Sequence, residues 1–170
     1  MLNSRRIVLV LHNIRSAINV GAMLRTADGA GVTEVWLTGY TPTPASEKQQ
    51  YITKAEKALA KAALGAERFM VWHKRVLLGP VLRHLRNAGY GIVALEQAAQ
   101  SLSLQELPET GDIALLVGNE VTGIDRRILK HCDAVVELPM CGQKNSLNVS
   151  VAAGIALYGI RGTMKKRKIL

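Results

Sequence analysis

Aromatic side chains are scarce in this 170-residue chain: Trp36, Tyr40, Tyr51, Phe69, Trp72, Tyr90 and Tyr158 are all it has. That excludes a sheet-wide platform on which successive bases stack, so a nucleic acid would be read through its backbone and one extruded nucleotide. Cysteine is equally sparse. Cys132 and Cys141, together with His12, His73, His84 and His131, make no recurrent zinc spacing, so neither a structural metal nor a disulfide is expected. No apolar run approaches a membrane span, and the first residues lack an export signal's apolar stretch and cleavage site. The expectation is a cytoplasmic protein with no membrane partner. Acidic residues are also in deficit, 13 against 22 Lys and Arg, for a formal net charge of +9. Such an imbalance favours a polyanionic partner, nucleic acid foremost.

Nor is there a Pro/Gly/Ser linker or a break in composition, so residues 1–162 read as one domain followed by a basic tail, 163–170. Within it, short apolar runs at 6–11, 34–37, 69–72, 91–95, 113–117 and 134–138 alternate with helix candidates at 19–30, 53–64, 78–88, 125–131 and 146–161. This rhythm predicts an α/β fold, a mostly parallel sheet with helices on both faces. Asn19 is the expected N-cap of the first helix and Asn145 or Ser146 that of the last, with Gly31 and Gly89 as stops. The last helix, SLNVSVAAGIALYGIR, is apolar on nearly every side. Burial on all sides is then required, which one face on the sheet and another on a second copy would satisfy. A homodimer through the C-terminal helix is therefore predicted. Lys54, Lys57 and Lys61 on the Ala/Lys-rich helix either track a phosphate backbone or form a solvated face, and Lys165 to Lys168 in the tail are equally ambiguous.

Three segments are rich in Asn, Arg, Ser and Gly where a core would need aliphatics: NIRSAINVGAMLRTADGAGV at 13–32, GNEVTGI at 118–124 and LPMCGQKNSLNVSVAA at 138–153. Two lie directly behind apolar runs that read as parallel strands, the position where α/β proteins place their sites. In order and composition the three resemble the three motifs of the SpoU (TrmH) family of RNA 2′-O-methyltransferases, of the SPOUT superfamily, over about residues 6–161. A dinucleotide-binding oxidoreductase is disfavoured, because the GAG at 29–31 lacks GxGxxG spacing.

The resemblance implies a C-terminal deep trefoil knot, which sequence pattern alone would never suggest. It implies S-adenosylmethionine as cofactor, held mostly by main chain at Leu95, Gly118, Ile124, Leu138, Met140, Ser146 and Leu147. It places Arg25, Asn19, Glu120, Ser146 and Asn148 around the reacting ribose hydroxyl, and Asn13 and Arg15 on RNA phosphates; Lys54 and Lys61 of the basic helix, read from charge alone, are the further candidates for RNA contact. Arg25 would act as a fixed cation, since a guanidinium stays protonated. Each residue also has a plainer reading: Arg25 as a surface ion pair with Asp28, Asn19, Ser146 and Asn148 as helix caps, Glu120 as a ligand of its own loop. Many relatives carry an added N-terminal RNA-binding domain without counterpart here, so the RNA is expected to rest on the dimer surface, the basic helix and the tail. Chain length favours tRNA over rRNA. The rival reading is a noncatalytic knotted RNA-binding protein that has lost methyl transfer.

Overall fold

The computed structural model describes residues 5–46 and 49–162. The basic tail lies outside them. The chain runs β1 (Ile7–His12), α1 (Ala17–Gly29), β2 (Glu34–Thr38), α2 (Lys54–Ala63), α3 (Ala66–Phe69), β3 (Trp72–Arg75), α4 (Leu78–Asn87) and β4 (Gly91–Leu95). A 3-10 turn at Leu104–Glu106 then leads to β5 (Ile113–Val117), α5 (Arg126–Leu129), β6 (Ala134–Val136) and α6 (Val149–Arg161). The strands form one sheet in the order β3-β2-β1-β5-β4-β6, and every pairing is parallel.

Parallel strands need cover on both faces, and the central strands supply apolar residues to each. Leu9, Leu11, Leu37, Leu115 and Val117 face a core closed by α1, α2 and α6; Val8, Val10, Ile92, Ala94 and Leu116 face α4, Ile124 and the edge of α5. No helix among the described residues is long and apolar enough to cross a membrane.

Several boundaries differ from the sequence reading, each for a local reason. Helix α1 begins at Ala17 because Ser16, not Asn19, is its N-cap: the Ser16 hydroxyl accepts the Asn19 backbone N–H at 3.3 Å. Helix α6 begins at Val149 with Asn148 as cap, accepting the Ser150 N–H at 2.9 Å, so neither Asn145 nor Ser146 performs that role. The strand expected at 69–72 is displaced to Trp72–Arg75. The first residue of the apolar run ends α3, where Ala66 and the capping Met70 bury against the core, and only its last residue, Trp72, belongs to the strand, the polar WHKR. With one neighbour and half-exposed side chains, this edge strand need not be apolar, although β6 at the other edge is.

Helix α6 buries Ala153, Ala156, Leu157 and Ile160 against the core but leaves Val151, Ile155 and Tyr158 about half exposed. Within one chain it is therefore one-sided, not buried all round as its composition suggested. Helix α2 crosses α1 at very close range: a Cβ built on Gly21 would fall 2.2 Å from the Leu59 carbonyl oxygen and 3.0 Å from the Ala63 nitrogen. Backbone atoms cannot yield as a flexible side chain can. Gly21→Ala is expected to destabilise the fold by about 1–3 kcal/mol through overpacking, read as a lower denaturant midpoint.

Candidate active site

Beyond the carboxyl ends of β4 and β5 lies a cleft of about 340 Å³. Its walls are the end of β4 (Leu95, Glu96, Gln97), the loop after β5 (Gly118 to Val121, Gly123), the segment entering α6 (Leu138, Met140, Asn145, Ser146, Leu147) and Ala152. Volume and mixed lining suit a molecule of nucleoside size. Of the residues implied to hold a cofactor, Leu95, Gly118, Leu138, Met140, Ser146 and Leu147 are on this wall. Ile124 is not. Its side chain is buried against the opposite face of the sheet, and its backbone N–H donates to Glu96 Oε2 at 2.8 Å.

The loop after β5 is fixed by tight packing. Asn119 and Gly123 exchange backbone hydrogen bonds, closing the loop, and a Cβ on Gly118 would meet Ile124 Cγ1 at 2.5 Å and the Gly123 oxygen at 2.7 Å. Gly118→Ala should force this wall open and lower affinity for whatever the cleft binds about tenfold, measurable by calorimetry, with a smaller loss of stability.

At the cleft's mouth a hydrogen-bonded chain joins three distant segments. Asn148 Nδ2 donates to Asn19 Oδ1 at 3.2 Å, and Asn19 Nδ2 donates to Glu120 Oε1 at 2.9 Å. Glu120 also accepts the backbone N–H of Arg15 at 2.8 Å and of Ser16 at 2.9 Å, so it holds the entry to α1 as well as its own loop. Burial opposes its charge, but these donors outweigh that and keep its carboxyl below the ordinary range. Glu120 is thus an ionised anchor at a helix N-terminus, where negative charge is favoured.

Arg25 lies elsewhere. Six residues beyond Asn19 carry it about 9 Å along the helix axis and to another side of α1. It is exposed, off the cleft wall, and makes no hydrogen bond or ion pair with any described residue, Asp28 included. Arg15 is exposed too, its backbone held by Glu120. Asn13, at φ 56°, spends its amide on the loop: Nδ2 bonds His12 Nε2 at 3.1 Å and Oδ1 accepts the Tyr40 N–H at 3.3 Å. Lys54 and Lys61 are exposed on α2, which packs on α1 through Leu59 and Ala63.

Glu96, Gln97 and Asn119 escaped the sequence reading. Glu96 accepts the Gln97 and Ile124 N–H groups, and Gln97 Nε2 donates to the Asn145 carbonyl at 2.7 Å, so the end of β4 clamps both loops of the cleft. Nothing in the local sequence of Glu96 and Gln97 distinguishes them from exposed loop polars, whereas Asn119 lies inside the GNEVTGI segment and was passed over in favour of its neighbour Glu120. Among the described residues no group of three or more His, Cys, Asp and Glu is placed to hold a metal.

A parallel sheet whose carboxyl-end cleft is built from a strand end, a glycine-closed loop and the entry to the last helix makes this an α/β protein with its candidate site where that class binds ligands. The chain matches the model of the SpoU rRNA Methylase family over residues 6–158 and belongs to that family. It is 34% identical over 161 residues to a 23S rRNA (guanosine-2′-O-)-methyltransferase RlmB of Burkholderia sp, covering 94% of this chain and 61% of the relative. A protein of the same name from Pseudomonas putida is 34% identical over 163 residues, covering 95% and 61%. The chain thus spans about three fifths of the length of these relatives. Among solved structures, an AdoMet-bound rRNA methyltransferase from Sinorhizobium meliloti is similar with a TM-score of 0.79 at 25% identity, over 92% of this chain and 56% of that one. The A. aeolicus TrmH/SpoU tRNA modifying enzyme gives 0.75 at 28% identity, over 93% and 76%.

Proposed function

We propose that the chain is an S-adenosylmethionine-dependent RNA methyltransferase acting on a ribose 2′-hydroxyl of structured RNA. The observation that carries this is the Asn148–Asn19–Glu120 chain, which ties all three motif segments together at the mouth of a nucleoside-sized cleft. The cleft fits the cofactor chemically. Leu95, Leu138, Met140 and Leu147 offer apolar contact, and the segment carrying Leu138, Met140, Ser146 and Leu147 is outside any strand or helix, so its main chain is not committed to a ladder. When bound there, S-adenosylmethionine supplies a methyl group on a positively charged sulfur.

The chain's own residues then bind and align. Ser146, whose hydroxyl has no partner among the described residues, and the capped start of α6 stand beside the cleft to orient the ribose. Glu120 is an unsuitable base, because its oxygens are committed to three donors. Arg25 stands off its own chain's cleft, so its role depends on a homodimer: carried by the partner's α1 to this cleft, its fixed positive charge would stabilise the developing alkoxide, leaving the proton to the substrate phosphate or to solvent.

Assembly follows the same reading. Val151, Ile155 and Tyr158 of α6 leave an apolar face, and Ile18 on α1 is 59% exposed. Ile18, Ala22, Arg25 and Gly29 form one stripe of α1, and a Cβ on Gly29 would lie 3.1 Å from the Tyr158 hydroxyl, so stripe and face adjoin. A homodimer across α6 would cover this surface and put Arg25 at its rim. The return of the chain from β6 at one sheet edge to α6 beside α1 supports trefoil threading by residues 137–148. The relatives' names span rRNA and tRNA enzymes, so the substrate is proposed as a class, met in the cytoplasm.

The test is methyl incorporation from labelled S-adenosylmethionine into bulk rRNA and tRNA. Ribose 2′-O-methylation leaves alkali-resistant dinucleotides, because a methylated 2′-oxygen cannot attack the neighbouring phosphate. Cofactor binding without transfer to any RNA would favour the noncatalytic RNA-binding reading.

A further inference from the structure

Tyr40 is an exposed ring on a rigid mount. It follows β2, and its side chain is 60% exposed. Yet the residue is held on every other side. Its backbone N–H donates to Asn13 Oδ1 at 3.3 Å, and the carbonyls on either side, Gly39 and Thr41, both accept from Lys74 Nζ at 2.7 Å. Its hydroxyl accepts from Asn119 Nδ2 at 2.8 Å, and Asn119 is itself a wall of the cleft. The turn beneath is locked as well. Gly39 sits at φ 63°, and the Asn13 amide fills the space a Cβ would need, its Oδ1 1.8 Å from that position.

Asn119 reinforces the point. Its amide is 7% exposed and fully used: Oδ1 accepts the Val121 and Thr122 N–H groups, while Nδ2 donates to the Asn13 carbonyl and to Tyr40. The same side chain that shapes the cleft loop therefore also orients the ring. An aromatic face held still in water contributes little to folding, because little of it is buried. Its entropy cost for binding a flat partner has already been met by the fold. Arg15, two residues from Asn13 and with its backbone fixed by Glu120, leaves a guanidinium free among the described residues. A planar hydrophobic face and an unpaired cation, tied through Asn119 and Glu120 to the wall of one cleft, match a nucleobase and its phosphate.

Resting on the proposed action on RNA, we infer that Tyr40 is a base-stacking residue. It receives a nucleobase next to the methylated ribose, while Arg15 meets the adjoining phosphate. The ring provides affinity without reading base identity, since every base has a π-face. The tyrosine hydroxyl acts only to fix the plane.

The experiment compares the full chain with Tyr40→Leu and Tyr40→Phe, using 23S rRNA and total tRNA as probes. Tyr40→Leu is expected to raise KM for the accepting RNA about tenfold, with cofactor Kd and Tm unchanged; Tyr40→Phe should stay within about twofold of wild type. An unchanged KM in Tyr40→Leu overturns the inference. So does a Tyr40→Phe variant as impaired as Tyr40→Leu, since the hydroxyl tie and not the ring would then matter. If the wild type transfers no methyl, the enzymatic reading fails on its own, and filter retention of the same RNAs by wild type and Tyr40→Leu still decides the role of Tyr40.

Discussion

Replacing Arg25 by alanine is expected to lower the rate of methyl transfer about 10²–10³-fold while leaving Tm and cofactor affinity unchanged. The structure makes the separation clean. Arg25 is exposed, has no partner among the described residues and forms no part of the cleft wall, so its removal breaks no contact that holds the fold or the cofactor's seat. What is lost is the permanent cation that the proposed homodimer would carry from one chain's α1 to the partner's cleft. Arg25→Lys should also be severely impaired, because an ammonium cannot present two donors in one plane. Single-turnover rates with saturating RNA and cofactor check both variants. A large loss of cofactor affinity in Arg25→Ala would move this residue out of the role assigned to it.

Glu120→Gln is expected to cost about 10²-fold in transfer through misplacement of the α1 entry, and about 1–3 kcal/mol of stability. The amide is nearly isosteric, but it turns an NH2 toward the N–H donors of Arg15 and Ser16 or the amide of Asn19. The defect should appear with every RNA tested, since it acts on alignment and not on recognition. A pH signature accompanies it. The folded carboxyl titrates below the ordinary value near 4.5, so on acidification the unfolded chain takes up this proton first. The stabilisation is complete above about pH 4.5 and lost as pH falls through the folded value. Melts of the wild type should therefore fall more steeply over that range than melts of Glu120→Gln. Parallel curves would remove Glu120 as a charged anchor.

The strands were legible wherever both sides of a strand are buried. IVLVLH and IALLV lie at the centre of the sheet, and continuous apolar runs are what that environment demands. The edge strand WHKR was placed three residues early, at 69–72, because a strand with one neighbour need not be apolar. Helix starts were misplaced by a few residues at α1 and α6, since Ser16, Asn19, Asn145, Ser146 and Asn148 are all acceptable caps and only the bonds made select among them. Asn13 is a related case. It was a candidate for phosphate contact, and its amide is instead spent on His12 and Tyr40.

The linear chain alone determined the α/β class, the three polar segments behind or beside the central strands, and an excess of positive charge suited to a polyanion. Side-chain period and charge are properties of neighbours in sequence, so they survive without a fold. Only the tertiary structure decided that Glu120 anchors the α1 entry, that Asn19 bridges it to Asn148, that Glu96 and Gln97 clamp two loops, and that Asn119 holds Tyr40 beside the cleft. Those partners lie 28 to 129 residues apart, and a hydrogen bond a few ångströms long acts on distance in space, which parallel crossovers set independently of distance along the chain.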